Sequence, residues 1–193
     1  MPRLQLPPEP DVLEYGCGTG PAACFLAARG FRVDAIDLIP EAITLAREFA
    51  RERSLDVTFT VQDVCTMVAD GKQYDVILDS CCLQSIVTDT DRGNVLTAVR
   101  NRLKPTGYYV LSTAMYDPDR VYEPNFRYDA TTGICYQAGD PDDDAIQLDG
   151  TWYLPHRRHL HPHALQAELE SAGLRVLSQD GPSKGDLICV RSS

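Results

Sequence analysis

The 193-residue chain has the length of one domain, with a hydrophobic fraction of 44% and a charged fraction of 24%, values at which a soluble globular core forms. Its net charge of −10 repels nucleic-acid phosphate and anionic lipid, which ranks tRNA, rRNA and DNA below a small molecule or a peptide as partner. No apolar run approaches the roughly 18–20 residues that cross a bilayer, so no membrane contact is expected. Seven cysteines, at 17, 24, 65, 81, 82, 135 and 189, lack zinc-type spacing; their odd number without a secretory leader reads as reduced thiols in the cytoplasm. Arg157 and Arg158 are the one conspicuous basic pair outside the predicted helices.

Strands and helices alternate from the start, as in a mostly parallel sheet covered by helices on both faces. A first strand is predicted at Asp11–Tyr15, then a glycine turn and an Ala-rich helix from Pro21 to Arg29, with Pro21 suited to the first helical position and Gly30 to a stop. A second strand, Arg32–Asp37, leads to a helix from Pro40 to Arg53 whose Ile43, Ala46, Phe49 and Ala50 share one face. The third strand is Val57–Gln62. The fourth, Tyr74–Asp79, is nearly all apolar, as a central parallel strand buried on both faces should be. A helix near Arg92–Leu103 stops at the turn signal Lys104-Pro105-Thr106-Gly107 before a fifth strand, Tyr108–Thr113. A helix at Pro162–Ala172 and strands at Arg175–Ser178 and Asp186–Arg191 close the chain. Between them, Tyr116–Pro155 is rich in Asp, Tyr, Gly and Pro with little periodicity. It reads as an insertion or lid over the sheet's carboxyl edge, with room for a short hairpin, inside a single domain spanning 1–193; loops this long tend to be functional or disordered.

The strongest signal is Val12-Leu13-Glu14-Tyr15-Gly16-Cys17-Gly18-Thr19-Gly20. Glycines after a strand permit a tight turn and the close approach of a ligand where a Cβ would clash. Dinucleotide enzymes use a similar turn, but the spacing here is G-x-G-x-G, with Pro21 where another pattern needs glycine. Glu14, inside the strand, can hold a ligand's ammonium group or order water beside it. Asp37 ends the second strand, where it can accept from both hydroxyls of a ribose. Asp63 follows the third strand, where it can accept from an adenine amino group.

With these features in register, the sequence resembles the class I S-adenosylmethionine-dependent methyltransferases of small-molecule type, from Asp11 to about Thr113 and again over the closing unit. The resemblance implies a Rossmann-like α/β fold with a seven-stranded sheet in the order 3-2-1-4-5-7-6, strand 7 antiparallel, and S-adenosylmethionine as cofactor. It implies that Gly16, Gly18 and Gly20, with Cys17 between them, accommodate the methionyl end, Asp37 the ribose and Asp63 the adenine, with Leu38 and Val64 sandwiching the adenine ring.

Methyl transfer from a sulfonium mainly requires alignment of the nucleophile and exclusion of water, so a catalytic residue need not show. Asp79-Ser80-Cys81-Cys82-Leu83-Gln84-Ser85-Ile86 lacks the Asn/Asp-Pro-Pro-aromatic signature of amino-methyltransferases. Many small-molecule relatives carry a His pair where Gln84 and Ser85 fall. Asp79 is assigned as a contact near the methionyl end or the substrate, against the plainer reading of a strand-end residue bonding backbone. Among the histidines at 156, 159, 161 and 163, His156 or His159 is the candidate pocket base and no metal site is assigned. Cys81, Cys82 and Cys135 as metalloid ligands rank below cysteine as a small buried hydrophobe. Tyr116, Tyr122, Phe126, Tyr128, Tyr136, Trp152 and Tyr153 read equally as a substrate-stacking lid or a satellite core.

The first strand begins about ten residues in, where many relatives first carry helices that close over the cofactor; the insertion, a partner subunit or a longer parent chain would have to supply that cover, and a homodimer stays open. The reading reached is methyl transfer to an O, N or S atom of a small molecule. Three others stay open: a non-catalytic cofactor-binding or partner protein, a methyltransferase of proteins, and a nicotinamide-dependent oxidoreductase, the last disfavoured by the glycine spacing and Asp63.

Overall fold

In a computed structural model, described over residues 4–68, 71–142, 144–180 and 184–192, the glycine turn joins the first two elements of an alternating α/β unit. The chain runs β1 (Asp11–Tyr15), α1 (Pro21–Ala27), β2 (Arg32–Asp37), α2 (Pro40–Glu52), β3 (Val57–Val61), β4 (Tyr74–Ser80), α3 (Asp89–Arg102) and β5 (Leu103–Ala114). It continues through β6 (Phe126–Asp129), β7 (Ile134–Ala138), β8 (Ile146–Leu148) and β9 (Thr151–Arg158), and ends with α4 (Pro162–Ser171), β10 (Leu174–Asp180) and β11 (Lys184–Arg191). Single 3₁₀ turns follow β3 and β4, at Val64–Thr66 and Leu83–Ser85. Residues 1–3 of the amino-terminal stretch and Asp143 of the acidic run lie outside the described residues.

The main sheet has the order β3-β2-β1-β4-β5-β11-β10. β11 is antiparallel to both neighbours, and the other pairings are parallel. This is the expected 3-2-1-4-5-7-6 order. Successive side chains of a strand point to opposite faces, and the core divides accordingly. Val12, Val33, Ala35 and Val76 pack with Ala23, Cys24, Ile43, Ala46 and Ala50 of α1 and α2. Leu13, Tyr15, Ile36 and Ile77 pack with Val95, Leu96 and Val99 of α3 and Leu165 and Leu169 of α4.

Two boundaries differ from the sequence reading for identifiable reasons. α3 begins at Asp89 because Thr88 caps it: the Thr88 Oγ1 accepts from the Asp91 N–H at 3.1 Å, and its hydroxyl donates to Asp91 Oδ2 at 2.7 Å, which holds the cap in place. The turn signal Lys104–Gly107 lies inside β5. There the pairing with β4 jumps from Leu103 opposite Tyr74 to Tyr108 opposite Val76, so the Pro and Gly form an extended bulge rather than a break. Gly107 is required there: a Cβ would stand 2.8 Å from the Tyr74 carbonyl oxygen.

The insertion holds more than a hairpin. β6 to β9 form a second, fully antiparallel sheet in the order β6-β7-β9-β8. A signal for it was present. Asp149 and Gly150, both at positive φ (50° and 80°), connect β8 to β9 as the Asp-Gly pair of a two-residue hairpin turn.

Candidate active site

The carboxyl ends of β1 to β3 carry five of the predicted residues, Gly16, Asp37, Leu38, Asp63 and Val64, to one place, while Glu14, Cys17, Gly18, Gly20 and Asp79 are not among the residues that line it. A cleft of about 390 Å³ is lined by Gly16 after β1, Asp37 and Leu38 at the end of β2, Asp63 and Val64 after β3, and Cys82 after β4, a size within the range of small-molecule sites. In open α/β sheets ligands bind outside the carboxyl ends of strands, where the strand order reverses, here between β1 and β4. Leu38 is 60% exposed while Val64 is buried, so an apolar side chain stands in solvent at the cleft, as a ring-stacking contact requires. Sequence reasoning did not identify Cys65, Ser85, Val87, Thr88 and Asp91, which complete the wall, or Asp144, which the insertion contributes to it. The run Asp140 to Asp144 was noted as acidic, but nothing local said where it would fold.

Gly16, Gly18 and Gly20 all have positive φ, at 62°, 54° and 79°. Their surroundings differ. Around Gly18 a Cβ would meet nothing, leaving open space for a ligand; at Gly20 it would come within 2.8 Å of the Phe59 ring, so Gly20 serves the packing of the turn. At Gly16 a Cβ would overlap the Cβ and Sγ of Cys82. Gly16→Ala is therefore expected to lower stability by at least about 2 kcal/mol through left-handed strain and overpacking together, read as a lower melting temperature. Cys17 is buried in the core, and burial raises its thiol to about 12; its backbone shapes the turn by donating to the Ile36 carbonyl and accepting from the Gly20 N–H.

The acids divide by what already holds them. Asp37 Oδ2 accepts from the Gly18 N–H at 2.7 Å and Oδ1 from the Ile39 N–H at 2.9 Å. Each oxygen keeps a second acceptor site, so Asp37 both braces the turn and faces the cleft. Asp63 Oδ1 caps the 3₁₀ turn through the Cys65 N–H at 2.8 Å. Glu14 is buried; burial lifts its carboxyl to about 7 against the Ala23 N–H, with repulsion from Asp79 and Asp37 adding to the rise. Its Oε2 is buried without a hydrogen-bond partner. Such an orphan acceptor is rare in a native interior and marks a place where a donor belongs.

Asp79 is fully buried and absent from the cleft wall. Its oxygens accept from the Cys82 and Leu83 N–H groups at 2.7 and 3.0 Å and from the Tyr15 hydroxyl at 2.6 Å. Burial outweighs these donors and raises it to about 6. These bonds give Asp79 the plainer role of tying down the turn that brings Cys82 to the wall, and it shares with Glu14 a buried place off the lining of the cleft. Arg92 does similar work from α3, donating from Nη1 to the Leu83 and Ile86 carbonyls at 2.7 and 3.0 Å and from Nε and Nη2 to Glu168 of α4 at 2.6 and 2.7 Å. Gln84 is buried, its Oε1 taken by the Ala114 N–H.

His156 and His159 line a separate pocket, shared by the insertion and the segment just after it, and not the cleft. His159 is held at about 4, first by burial and then by Arg120, Arg157 and His156. Cys81 is exposed, Cys82 is at the cleft and Cys135 is buried in β7; among the described residues no three His, Cys, Asp or Glu side chains converge as a metal would need. Three of the insertion's aromatics form a stack, with Tyr122 and Tyr128 centroids 5.6 Å apart and Tyr116 and Tyr128 5.4 Å apart.

Residues 12–107 match the family model of a methyltransferase domain. Over that segment the chain is a methyltransferase domain. Relatives of this family to which it is similar include the 2-heptyl-1-hydroxyquinolin-4(1H)-one methyltransferase of Mycobacteroides abscessus, 34% identical over 125 residues that cover 61% of this chain and 55% of that one. A ubiquinone biosynthesis O-methyltransferase of Rickettsia canadensis is 31% identical over 103 residues, 53% of this chain and 42% of that one. The chain thus aligns with about half the length of these curated relatives. In fold it is similar to an S-adenosylmethionine-dependent methyltransferase of Clostridium acetobutylicum, with a TM-score of 0.73 at 17% identity over 97% of this chain and 86% of that one. S-adenosylmethionine is the family's cofactor, and the residues present fit it: an unpartnered buried carboxylate oxygen on Glu14, open space at Gly18, and an exposed Leu38 facing the cleft.

Proposed function

We propose that this protein transfers the methyl group of S-adenosylmethionine to a small-molecule acceptor. The charge of the cleft carries the reading. Asp37, Asp63, Asp91 and Asp144 line it, with no lysine or arginine among the described lining residues. A ligand bearing a sulfonium and an ammonium gains from that field, whereas the two phosphates of a dinucleotide are repelled by it.

In this reading Glu14 and the turn Gly16–Gly18 receive the methionyl end, Asp37 the ribose hydroxyls, and Asp63, Leu38 and Val64 the adenine. When bound, the cofactor supplies an electrophilic methyl on an already activated leaving group. The chain's own residues bind, orient and exclude water, which suffices when the acceptor is a good nucleophile. At about 4, His159 is a poor base at neutral pH, and neither it nor His156 lines the cleft, so no proton is routed through them. Asp144 brings the insertion to the cleft wall, which supports acceptor recognition by the insertion. One relative is named an O-methyltransferase and another acts on a hydroxyquinolinone, so hydroxylated ring compounds are the first acceptors to screen.

Calorimetric titration tests the cofactor half. S-adenosylmethionine and S-adenosylhomocysteine should bind and NAD should not, and Asp37→Ala should weaken both by about tenfold to a hundredfold through loss of charge-assisted bonds. Binding of NAD alone would overturn the reading.

A further inference from the structure

The pocket of His156 and His159 lies outside the cleft and has the opposite charge. It measures about 210 Å³ and is lined by Arg120, Val121, Tyr122, His156, Arg157 and His159, among others. Among the described residues neither Arg120 nor Arg157 forms an ion pair within the chain. In a protein of net charge −10, two arginines facing one cavity without carboxylate partners require a reason. One carboxylate, Glu123, also lines the pocket, but it bonds neither of them.

The pocket is built. Strict alternation along a strand would send His156 and Arg157 to opposite faces. β9 departs from alternation at this point: Arg157 pairs with Cys135 and Pro155 with Tyr136, leaving His156 as the extra residue of a bulge. A bulge re-aims a side chain, and here it lets residues 156, 157 and 159 line one cavity. His159 is only 4% exposed, with Arg120 Nη1 3.1 Å and the Tyr122 hydroxyl 3.2 Å from its Nδ1, so the floor is an aromatic platform with a guanidinium at its edge. At the rim Val121 is 92% exposed, an apolar contact for whatever enters. The volume admits one end of a molecule rather than a whole cofactor. The neighbouring Arg158 turns to the other site, donating to the Val87 carbonyl at 3.1 Å, and Val87 lines the cleft. One strand thus serves both walls.

We propose that this pocket binds the anionic end, a carboxylate or phosphate, of a small molecule with an aromatic or aliphatic body, held by Arg120 and Arg157 over the Tyr122–His159 platform. Arg120 uses one guanidinium nitrogen on His159; its remaining donors, and those of Arg157, suit the planar fork of a carboxylate or two phosphate oxygens.

The test titrates the full chain with benzoate, phenyl phosphate and neutral benzamide, following backbone amides by nuclear magnetic resonance. Benzoate or phenyl phosphate should shift the amides of residues 120–123 and 156–159 and bind at least about tenfold more tightly than benzamide, and Arg120→Gln and Arg157→Gln should each weaken that binding about tenfold. Both arginines are exposed, so the variants should melt with the parent; if either does not, Arg157→Lys, which keeps the charge and loses the fork, supplies the intermediate affinity expected. Equal binding of benzamide, or benzoate binding unchanged in both Gln variants, would overturn the proposal. Acid and methyl-ester pairs offered as methyl acceptors then identify the ligand's source. A preference for acids, lost in Arg157→Gln as a raised KM, places the anion on the acceptor; benzoate binding with no effect on turnover makes it a separate ligand. S-adenosylhomocysteine titrated in parallel keeps the two proposals apart, since its failure to bind would sink methyl transfer and leave the anion pocket standing.

Discussion

Glu14→Gln is expected to melt about 5 °C above the parent chain near pH 8, and to bind S-adenosylhomocysteine about tenfold to a hundredfold more weakly. Both effects come from one buried carboxylate. Its ordinary value is 4.5 and its folded value about 7, so between those pH values the folded chain holds a proton that the unfolded chain has released. Stability is then full below about 4.5 and falls as pH rises through about 7, by roughly 2–3 kcal/mol once Glu14 is ionised. Glutamine removes that slope while keeping the shape. Asp79, also raised by burial, to about 6, acts in the same direction but is present in both proteins and cancels, so the difference between them should open between about pH 4.5 and pH 7 and stay constant above that. Thermal melts across that range measure it. A variant less stable at high pH than the parent would mean that Glu14 is not held in the low-dielectric setting described. If the variant is more stable yet binds the cofactor undiminished, the unpartnered Oε2 serves something other than the methionyl end.

Arg92→Met should destabilise the protein by about 3–5 kcal/mol, because removing one partner of a buried ion pair strands the other, which lowers the melting temperature by about 10 °C in a chain of this size. Arg92 is 2% exposed and its partner Glu168 22%. The guanidinium also satisfies the Leu83 and Ile86 carbonyls, so the substitution leaves two acceptors unpaired beneath the segment that carries Ser85, Ile86 and Val87 to the cleft. Weaker cofactor binding should accompany the loss of stability. In the double variant Arg92→Met with Glu168→Leu, stability should recover in part, since an apolar pair replaces a desolvated one, but the loose Leu83–Ile86 turn should keep the affinity low. Recovery of both together would assign Arg92 to core stability alone; a single variant melting with the parent would remove the argument altogether.

Much of the sheet and the cofactor cleft was readable in the sequence because their signals are local and repeat in register. β1 to β4 are short stretches in which apolar residues run on or alternate, and a chemically distinct residue ends or follows each of the first three, so Gly16, Asp37 and Asp63 mark strand ends that line the cleft. The departures lie where the deciding partner is far along the chain. Asp79 reads as a strand-end acid in either role, and only the positions of Tyr15 and of the Cys82 and Leu83 backbone show it sealed beneath the cleft. Nothing near Arg92 marks it as buried, since its partner Glu168 is 76 residues away. The second sheet is the largest departure. Its strands are three to eight residues long, and a bulge breaks the alternation of the longest, so no period of two accumulates.

The sequence by itself determined the order of the main sheet's elements, the glycine turn and the resemblance to methyltransferases, because hydrophobic periodicity, strand-end acids and glycine backbone freedom act over a few residues. Tertiary structure alone decided which acids face the cleft and which are sealed, and that the insertion sends Asp144 to one site while a single extra residue at His156 turns two arginines into another. Those outcomes depend on burial and on pairing across long stretches of chain, quantities that no local window of sequence contains.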